Sequence, residues 1–322
     1  MNALQKLVVT DGYTLNPGDL SWSGFEPFGD LVVYDRTEPE QVVERCLGAT
    51  MVLTNKVILD RQLMMQLPEL RYIGVLATGY NVVDLEAARE LGVVVTNIPA
   101  YGPESVAQFV FALLLNQVQP IHYYSNEVNN GRWSKSPDFC FYDHSMPELA
   151  GLTMGIIGYG AIGQKVARIA RGFDMKVLVH TRTPPEVLPE GVSSVSLSSL
   201  CQDSDVISLH CPLTKQNQGL IDQAFLKQMK SSAYLINTAR GPLVNEAELA
   251  EALQRGEIAG AALDVLAVEP PPQQHVLIDQ EKCTITPHIA WSTLAARGRL
   301  MNIAVANVAA FLSGRPQHVV NA

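Results

Sequence analysis

The chain has 322 residues, with 32 Asp and Glu against 23 Lys and Arg and a formal charge of −9. Hydrophobic content of 47% with only 17% charged residues excludes a disordered chain, and the length suggests two domains, each burying its own core. The acidic balance offers no general basic footprint for nucleic acid or an anionic membrane, so neither is expected as a partner.

Cys46, Cys140, Cys201, Cys211 and Cys283 form no C-x-x-C pair and no ligand cluster with histidine. That usage fits a reducing compartment, and no metal site is expected. Leu7-Val8-Val9 is too brief for a signal-peptide core, and the longest dense apolar run, 109–115, is far below the ~20 residues a bilayer demands. A cytoplasmic location is expected.

In chain order, strands are expected at 7–9, 51–53, 72–75 and 93–95, with helices at 60–66 and 84–91 among them. Apolar, β-branched runs separated by helices read as buried parallel strands of an α/β unit. From Glu104 to about Asn130 the pattern predicts one long helix, in which Phe109, Leu113 and Gln117 share a face with Val106, Val110 and Leu114. Pro120 should kink it. A helix this apolar packs against a sheet or a second subunit rather than facing water. A more regular series follows, with strands at 154–157, 176–180, 206–209, 234–236, 259–263 and 284–286 and helices at 161–172, 222–229 and 246–255. Such alternation reads as a doubly wound sheet of five or six parallel strands. A closing helix at 292–311 stops before Ser313-Gly314 and Pro316.

Gly158-Tyr159-Gly160-Ala161-Ile162-Gly163 fits G-x-G-x-x-G, immediately after one predicted strand and opening a helix that leads to the next. In that setting Gly158 permits a tight turn, Gly160 lets backbone approach a pyrophosphate, and Gly163 lets helix and strand pack closely. The helix N-terminus offers free N–H groups and a positive dipole end to the phosphates. The following strand decides which dinucleotide is bound, because an acid at its end would take the ribose 2′-OH of NAD. The chain instead has Val179-His180-Thr181-Arg182-Thr183, and Asp174 lies at the wrong end of the strand. Arg182 can fork onto a 2′-phosphate with Thr181 and Thr183 as hydroxyl donors, so NADP(H) is expected ahead of NAD(H). The alternative is that Arg182 caps a solvated loop or stacks on adenine, which leaves NAD(H) open.

Three later segments carry reactive groups at strand ends: Asn237-Thr238-Ala239-Arg240-Gly241, Asp264-Val265-Leu266-Ala267-Val268-Glu269-Pro270 and Pro287-His288-Ile289-Ala290-Trp291. In a doubly wound sheet the carboxyl ends of the strands line the ligand crevice, so Arg240, Asp264 and His288 could reach one cleft. With these, with Ala77-Thr78-Gly79-Tyr80-Asn81-Val82-Val83-Asp84 and with His210-Cys211-Pro212-Leu213-Thr214, the sequence resembles the D-isomer-specific 2-hydroxyacid dehydrogenase family over essentially its whole length. The opening, Asp11-Gly12-Tyr13-Thr14-Leu15-Asn16-Pro17-Gly18-Asp19-Leu20-Ser21-Trp22, and the ending His288-Ile289-Ala290-Trp291 look most like its glycerate dehydrogenase/hydroxypyruvate reductase branch. The chain departs from the family pattern at Gln108, where many members have Glu, and at Thr181-Arg182, where NAD-using members have an acid.

The resemblance implies an α/β architecture of two doubly wound domains. A Rossmann NAD(P)-binding domain, 99–288, would be inserted into a flavodoxin-like substrate domain, 1–98 plus 289–322. It implies reduction of a small 2-oxo acid such as hydroxypyruvate or glyoxylate, reversible as D-glycerate dehydrogenase. His288 would be general acid in reduction and base in oxidation, Glu269 would orient it, and Arg240 would fork onto the substrate's carboxylate and carbonyl. Asp264 would bind the nicotinamide carboxamide. The implied cofactor set also includes Val106, Tyr159, Ala161, Ile162, Cys211, Pro212, Thr238 and Ala239, together with Arg240 and His288. Thr78 and Gly79 would hold the substrate carboxylate, with Leu76 beside them and Trp291 as a pocket wall. A homodimer through the cofactor domain, at the helix after Glu104, is the implied assembly. A second reading keeps the fold but not the turnover: a nicotinamide-sensing corepressor, which can retain Arg240, Glu269 and His288.

Overall fold

The computed structural model describes residues 5–322, in two compact units: residues 5–102 with Ser292–Ala322, and Pro103–Trp291. The first unit begins with β1 (Lys6–Val9), β2 (Asp30–Val33), α1 (Val42–Cys46), β3 (Met51–Thr54), α2 (Arg61–Met65), β4 (Tyr72–Val75), α3 (Leu85–Glu90) and β5 (Val94–Thr96). Its five strands are parallel, in the flavodoxin-like order β2-β1-β3-β4-β5. Strands β3 and β4 are buried at every residue, as expected of apolar runs covered on both faces. Asp60 and Asp84 cap α2 and α3, each side chain accepting a backbone N–H at 2.9 Å, from Leu63 and Ala87. The strand β2 was not among the expected strands although Leu31-Val32-Val33 is an apolar run; it is a partly exposed edge of the sheet.

The second unit contains α4 (Pro103–Val118), α5 (Ile121–Asn129), β6 (Thr153–Ile157), α6 (Ala161–Gly172), β7 (Lys176–His180), β8 (Val192–Ser194), α7 (Leu197–Asp203), β9 (Val206–Leu209), α8 (Gln223–Leu226), β10 (Tyr234–Asn237), α9 (Glu246–Arg255), β11 (Gly260–Leu263) and β12 (Cys283–Ile285). Its sheet runs β8-β7-β6-β9-β10-β11-β12, entirely parallel. Counted from β6, this is the dinucleotide-binding order 3-2-1-4-5-6 with a seventh strand added, where five or six had been expected. The strand missing from the sequence expectation, β8, has only three residues and one buried side chain, too little for a periodic signal. The chain ends with α10 (Leu294–Leu312), which belongs to the first unit and packs Phe311 against Tyr72 with ring centroids 4.8 Å apart. No helix among the described residues is long and apolar enough to cross a membrane.

The single long helix expected from Glu104 to Asn130 is in fact two, α4 and α5. Proline lacks the N–H that would continue α4 and pushes the preceding residue out of helical geometry. Pro120 therefore ends one helix and, at φ −73° and ψ 66°, stands as the N-terminal cap of the next.

The order of the second sheet sets its ligand edge. Strands β6 and β9 are neighbours whose following loops leave the same edge of the sheet, at the topological switch point. Within β6, Gly155 is needed for packing: a Cβ there would collide with Ser204 Oγ and lie 2.8 Å from Leu200 Cδ2. Gly155→Ala is expected to lower unfolding stability by about 1–3 kcal/mol, read from urea denaturation midpoints. An unchanged midpoint would contradict this packing.

Candidate active site

The three glycines after β6 have three distinct physical jobs. Gly158 has φ +97°, and a Cβ on it would lie 2.5 Å from the carbonyl carbon of His210 and 2.6 Å from the N of Cys211. Only glycine fits where the β6 and β9 loops touch. A Cβ on Gly163 would collide with the carbonyl oxygen of Gly158, so this glycine seats α6 on its strand. A Cβ on Gly160 would meet nothing within 4 Å, leaving open space over the loop for a ligand. Helix α6 has Gly160 at its N-cap, no side-chain cap and no acidic residue in its first turn, so its N-terminal N–H groups are available to an anion. Ala161 is exposed and Ile162 half-buried at this end, whereas Tyr159 is buried and belongs to the core under this sheet. At this position the Tyr159 backbone, rather than its buried ring, is what faces outward to a ligand.

The β7 end lies against this loop, since the Gly158 N–H donates to the His180 carbonyl at 2.8 Å. His180 Nδ1 sits 3.1 Å from the Val195 carbonyl, Thr181 is half-buried, and Arg182 is exposed with no hydrogen bond or ion pair among the described residues. On the other side of the switch point, Asn217 organises the loop after β9. Its Oδ1 accepts from the Thr214 N–H at 2.6 Å, and its Nδ2 donates to the Pro212 carbonyl at 2.8 Å and to Cys211 Sγ at 3.7 Å. Burial raises the pKa of the Cys211 thiol, which keeps it protonated and removes it as a nucleophile.

After β10, the fully buried Asn237 holds the next loop. Its Oδ1 accepts from the Ala239 N–H at 2.9 Å and its Nδ2 donates to the Arg240 carbonyl at 2.9 Å. Arg240 itself is exposed; Nη1 donates to the Ala239 carbonyl at 2.6 Å, and no carboxylate pairs with it among the described residues. Thr238 Oγ1 is buried without any hydrogen-bond partner. Gly241 lets this loop press on the next, because a Cβ there would collide with the backbone of Leu266 and Ala267.

The last two strands carry the acid–imidazole pair. His288 Nδ1 lies 2.6 Å from Glu269 Oε2, and because a carboxylate only accepts, Nδ1 carries the hydrogen and Nε2 is the nitrogen left for chemistry. Glu269 Oε1 accepts from the Leu266 N–H at 3.0 Å. Each side chain keeps 34% of its surface exposed, so the pair is reachable by a ligand. His288 has φ +54°, an uncommon conformation for a residue with a Cβ. The buried Asp264 carboxylate maintains it: Oδ1 accepts from Thr286 Oγ1 at 2.6 Å and from the Ile289 N–H at 2.9 Å, and Oδ2 from the Ala290 N–H at 2.8 Å. Burial raises the Asp264 pKa and these hydrogen bonds oppose the rise. Trp291 Nε1 donates to the His288 carbonyl at 2.9 Å, so this indole braces the same turn. Val106 is buried on α4, whose preceding residue Ser105 donates its hydroxyl to the Ala290 carbonyl at 2.6 Å.

In the first unit, the loop after β4 carries Thr78 and Gly79, whose backbone N–H groups make no hydrogen bond among the described residues. The Leu76 side chain is buried in that unit's core at 1% exposure, so it forms no open wall. Sequence reasoning missed Asn217, Asn237, Ser105 and Thr286. The asparagines had a readable signal, Asn237 at a strand end and Asn217 within a loop, since Asn in such places favours side-chain-to-backbone turns. Ser105 and Thr286 had none.

The open space over Gly160, the uncapped α6 terminus, the unpartnered Thr238 hydroxyl and the unpaired Arg182 fit a phosphorylated dinucleotide laid across the switch point. Beside them, a carboxylate-held imidazole and an unpaired guanidinium follow the adjacent strands β10 to β12, the equipment of a nicotinamide-dependent dehydrogenase. The comparisons agree. A family model described as D-isomer specific 2-hydroxyacid dehydrogenase, NAD binding domain, matches residues 111–290. The chain is 45% identical over 320 residues to a hydroxypyruvate reductase of Blautia hydrogenotrophica, covering 98% of this chain and 99% of that protein. It is 43% identical over 286 residues to a glycerate dehydrogenase of Methylorubrum extorquens, covering 88% and 89%. Among solved structures, an NADPH-dependent glyoxylate/hydroxypyruvate reductase of Sinorhizobium meliloti, in complex with NADP and malonate, matches with a TM-score of 0.82 at 27% identity, covering 99% and 97%. The chain belongs to the D-isomer-specific 2-hydroxyacid dehydrogenase family.

One neighbour of the site sets an acid limit. His210, at the end of β9, keeps some exposed surface, yet the packed protein around its ring pushes its pKa from 6.5 down to about 3. The folded state thus holds it neutral where an unfolded chain would take up a proton. Between those two values the folded state binds fewer protons, so stability falls as pH drops below about 6.5. Its contribution is expected to be roughly 1 kcal/mol per pH unit over that window, and His210→Gln should flatten the profile measured by urea unfolding between pH 7 and 5. Identical slopes in the two proteins would contradict a ring held neutral in the folded state.

Proposed function

We propose that the protein reduces hydroxypyruvate and glyoxylate with NADPH and runs in reverse as a D-glycerate dehydrogenase, NADH serving as a second cofactor. The observation that carries this reading is the 2.6 Å Glu269–His288 pair, followed in sequence by a turn locked on Asp264. The names of the relatives support the substrate class. When bound, the cofactor supplies the hydride to the carbonyl carbon. His288 delivers a proton from Nε2 to the carbonyl oxygen, while Glu269 holds Nδ1 and compensates the imidazolium charge. Arg240 has Nη2 and Nε uncommitted, a fork for the substrate's carboxylate and carbonyl that stabilises developing negative charge. Thr78 and Gly79 offer free backbone N–H groups to the carboxylate, with the Leu76 backbone beside them. Trp291 contributes a pocket wall as well as its brace on His288.

Gly158, Gly160, Gly163, Ala161, Ile162 and the Tyr159 backbone take the pyrophosphate, Thr238 and Ala239 the nearby phosphate or ribose, and Cys211, Pro212 and Val106 border the nicotinamide end. Asp264 Oδ2 accepts one protein hydrogen bond and so retains a lone pair for the carboxamide. Arg182, uncompensated by any acid, recognises the 2′-phosphate. The segment after α4 exposes Ile121, Trp133, Phe139 and Tyr142, at 72%, 52%, 89% and 74%, which supports a homodimer through the cofactor unit. The cytoplasm is the proposed location.

Turnover is tested by following NADPH and NADH absorbance with hydroxypyruvate, glyoxylate, pyruvate and D-3-phosphoglycerate. Hydroxypyruvate and glyoxylate should give the highest kcat/KM. Tight cofactor binding without turnover of any 2-oxo acid would overturn the proposal. Arg182→Ala should raise the KM for NADPH about tenfold or more and that for NADH less than about threefold, as loss of a charge-assisted contact predicts. Equal effects would remove Arg182 from the phosphate site.

A further inference from the structure

The loop that carries Glu269 has a second carboxylate–imidazole pair behind it. Glu246 is the first residue of α9, but the helix is capped by Asn245, which accepts from the Glu248 N–H at 3.3 Å. The Glu246 carboxylate is thereby free for another use. Its Oε1 accepts from the Ala267 N–H at 2.7 Å, and its Oε2 lies 3.0 Å from His275 Nε2. His275 Nδ1 accepts from the Leu277 N–H at 3.3 Å, which leaves the ring hydrogen on Nε2, directed at Glu246. The side chains of this pair keep only 9% and 14% of their surface, against 34% for each member of the Glu269–His288 pair. It is sheltered from ligands, so its action is mechanical.

Its point of attachment is specific. Leu266 and Ala267 present consecutive backbone N–H groups; the first goes to Glu269 Oε1 and the second to Glu246 Oε1. Ala267, Val268 and Glu269 are otherwise exposed, and Gly241 lets the Arg240 loop lie against the same two residues. Two consecutive peptide planes, joined at the Leu266 Cα, thus link the Glu246 anchor to the carboxylate that orients the imidazole.

We propose that Glu246 and His275 are positioning residues, a clamp that fixes Glu269 and through it the proton-donating face of His288. This rests on the reading of His288 as proton donor. The test compares wild type, Glu246→Ala, Glu246→Gln and His275→Asn in the full chain. It records kcat and KM for hydroxypyruvate, the deuterium isotope effect with NADPD, NADPH Kd by fluorescence, and exchange of the Leu266 and Ala267 amides. Glu246→Ala should lower kcat about tenfold, enlarge the isotope effect on kcat, speed exchange at Ala267 and leave the NADPH Kd within about twofold. Glu246→Gln, whose amide oxygen still accepts from Ala267, should recover kcat to within about threefold of wild type.

An unchanged kcat in Glu246→Ala, an equal loss of kcat and cofactor affinity, or no rescue by Gln would overturn the clamp. If Glu246→Ala does not fold, His275→Asn decides: a fall in kcat at constant NADPH Kd supports the clamp, and wild-type kcat refutes it. Absence of 2-oxo acid turnover in the wild type would refute the proposed function instead. The Ala267 and Leu266 exchange rates would then still decide the clamp, unchanged rates in the variants refuting it.

Discussion

The site depends on one buried carboxylate. Asp264 closes β11 and accepts a hydroxyl and two backbone N–H groups from the segment after β12, joining the ends of two adjacent strands. Burying an ion is unfavourable unless its hydrogen-bonding capacity is met, and here the partners come from the residues that flank His288. The left-handed backbone of His288, which costs of order 1 kcal/mol in isolation, is held by this arrangement and by the indole of Trp291. The imidazole is positioned by backbone geometry before Glu269 touches it.

The same logic recurs along the ligand edge of the sheet. Buried Asn237 sets the Arg240 loop, Asn217 sets the Cys211 loop, and close glycine contacts at Gly158 and Gly241 press neighbouring loops together. Among the described residues, several groups a ligand would need are left available: Nε and Nη2 of Arg240, the Arg182 guanidinium, the Thr238 hydroxyl and the α6 terminus. The scaffold satisfies its own polar groups and reserves a few.

Much of this was legible in the chain. The central strands announced themselves as unbroken apolar runs because both faces are covered, and helix α6 begins and ends where its glycines and apolar spacing place it. Arg240 and His288 stood out by their places at strand ends, but their roles, and the part of Glu269, came from family motifs, since neither periodicity nor spacing distinguishes a site arginine from a surface one. Edge strand β8 was not visible because it buries too little to leave a pattern, whereas β2 carries the apolar run Leu31-Val32-Val33 and simply went unassigned. Pro120 was noticed, but its effect was underestimated: it breaks the helix outright. The Asp264 anchor was hidden for a different reason. Its partners lie 22 to 26 residues away, and only the parallel register of β11 with β12 brings them together.

The most direct test is single-turnover hydride transfer from NADPH to hydroxypyruvate in Asp264→Asn, paired with hydrogen exchange at the Ile289 and Ala290 amides. An asparagine side chain cannot accept all three bonds, so both amides should exchange faster and hydride transfer should slow at least about tenfold. Loosened amides with hydride transfer at the wild-type rate would mean that the turn held by Asp264 does not set the chemistry.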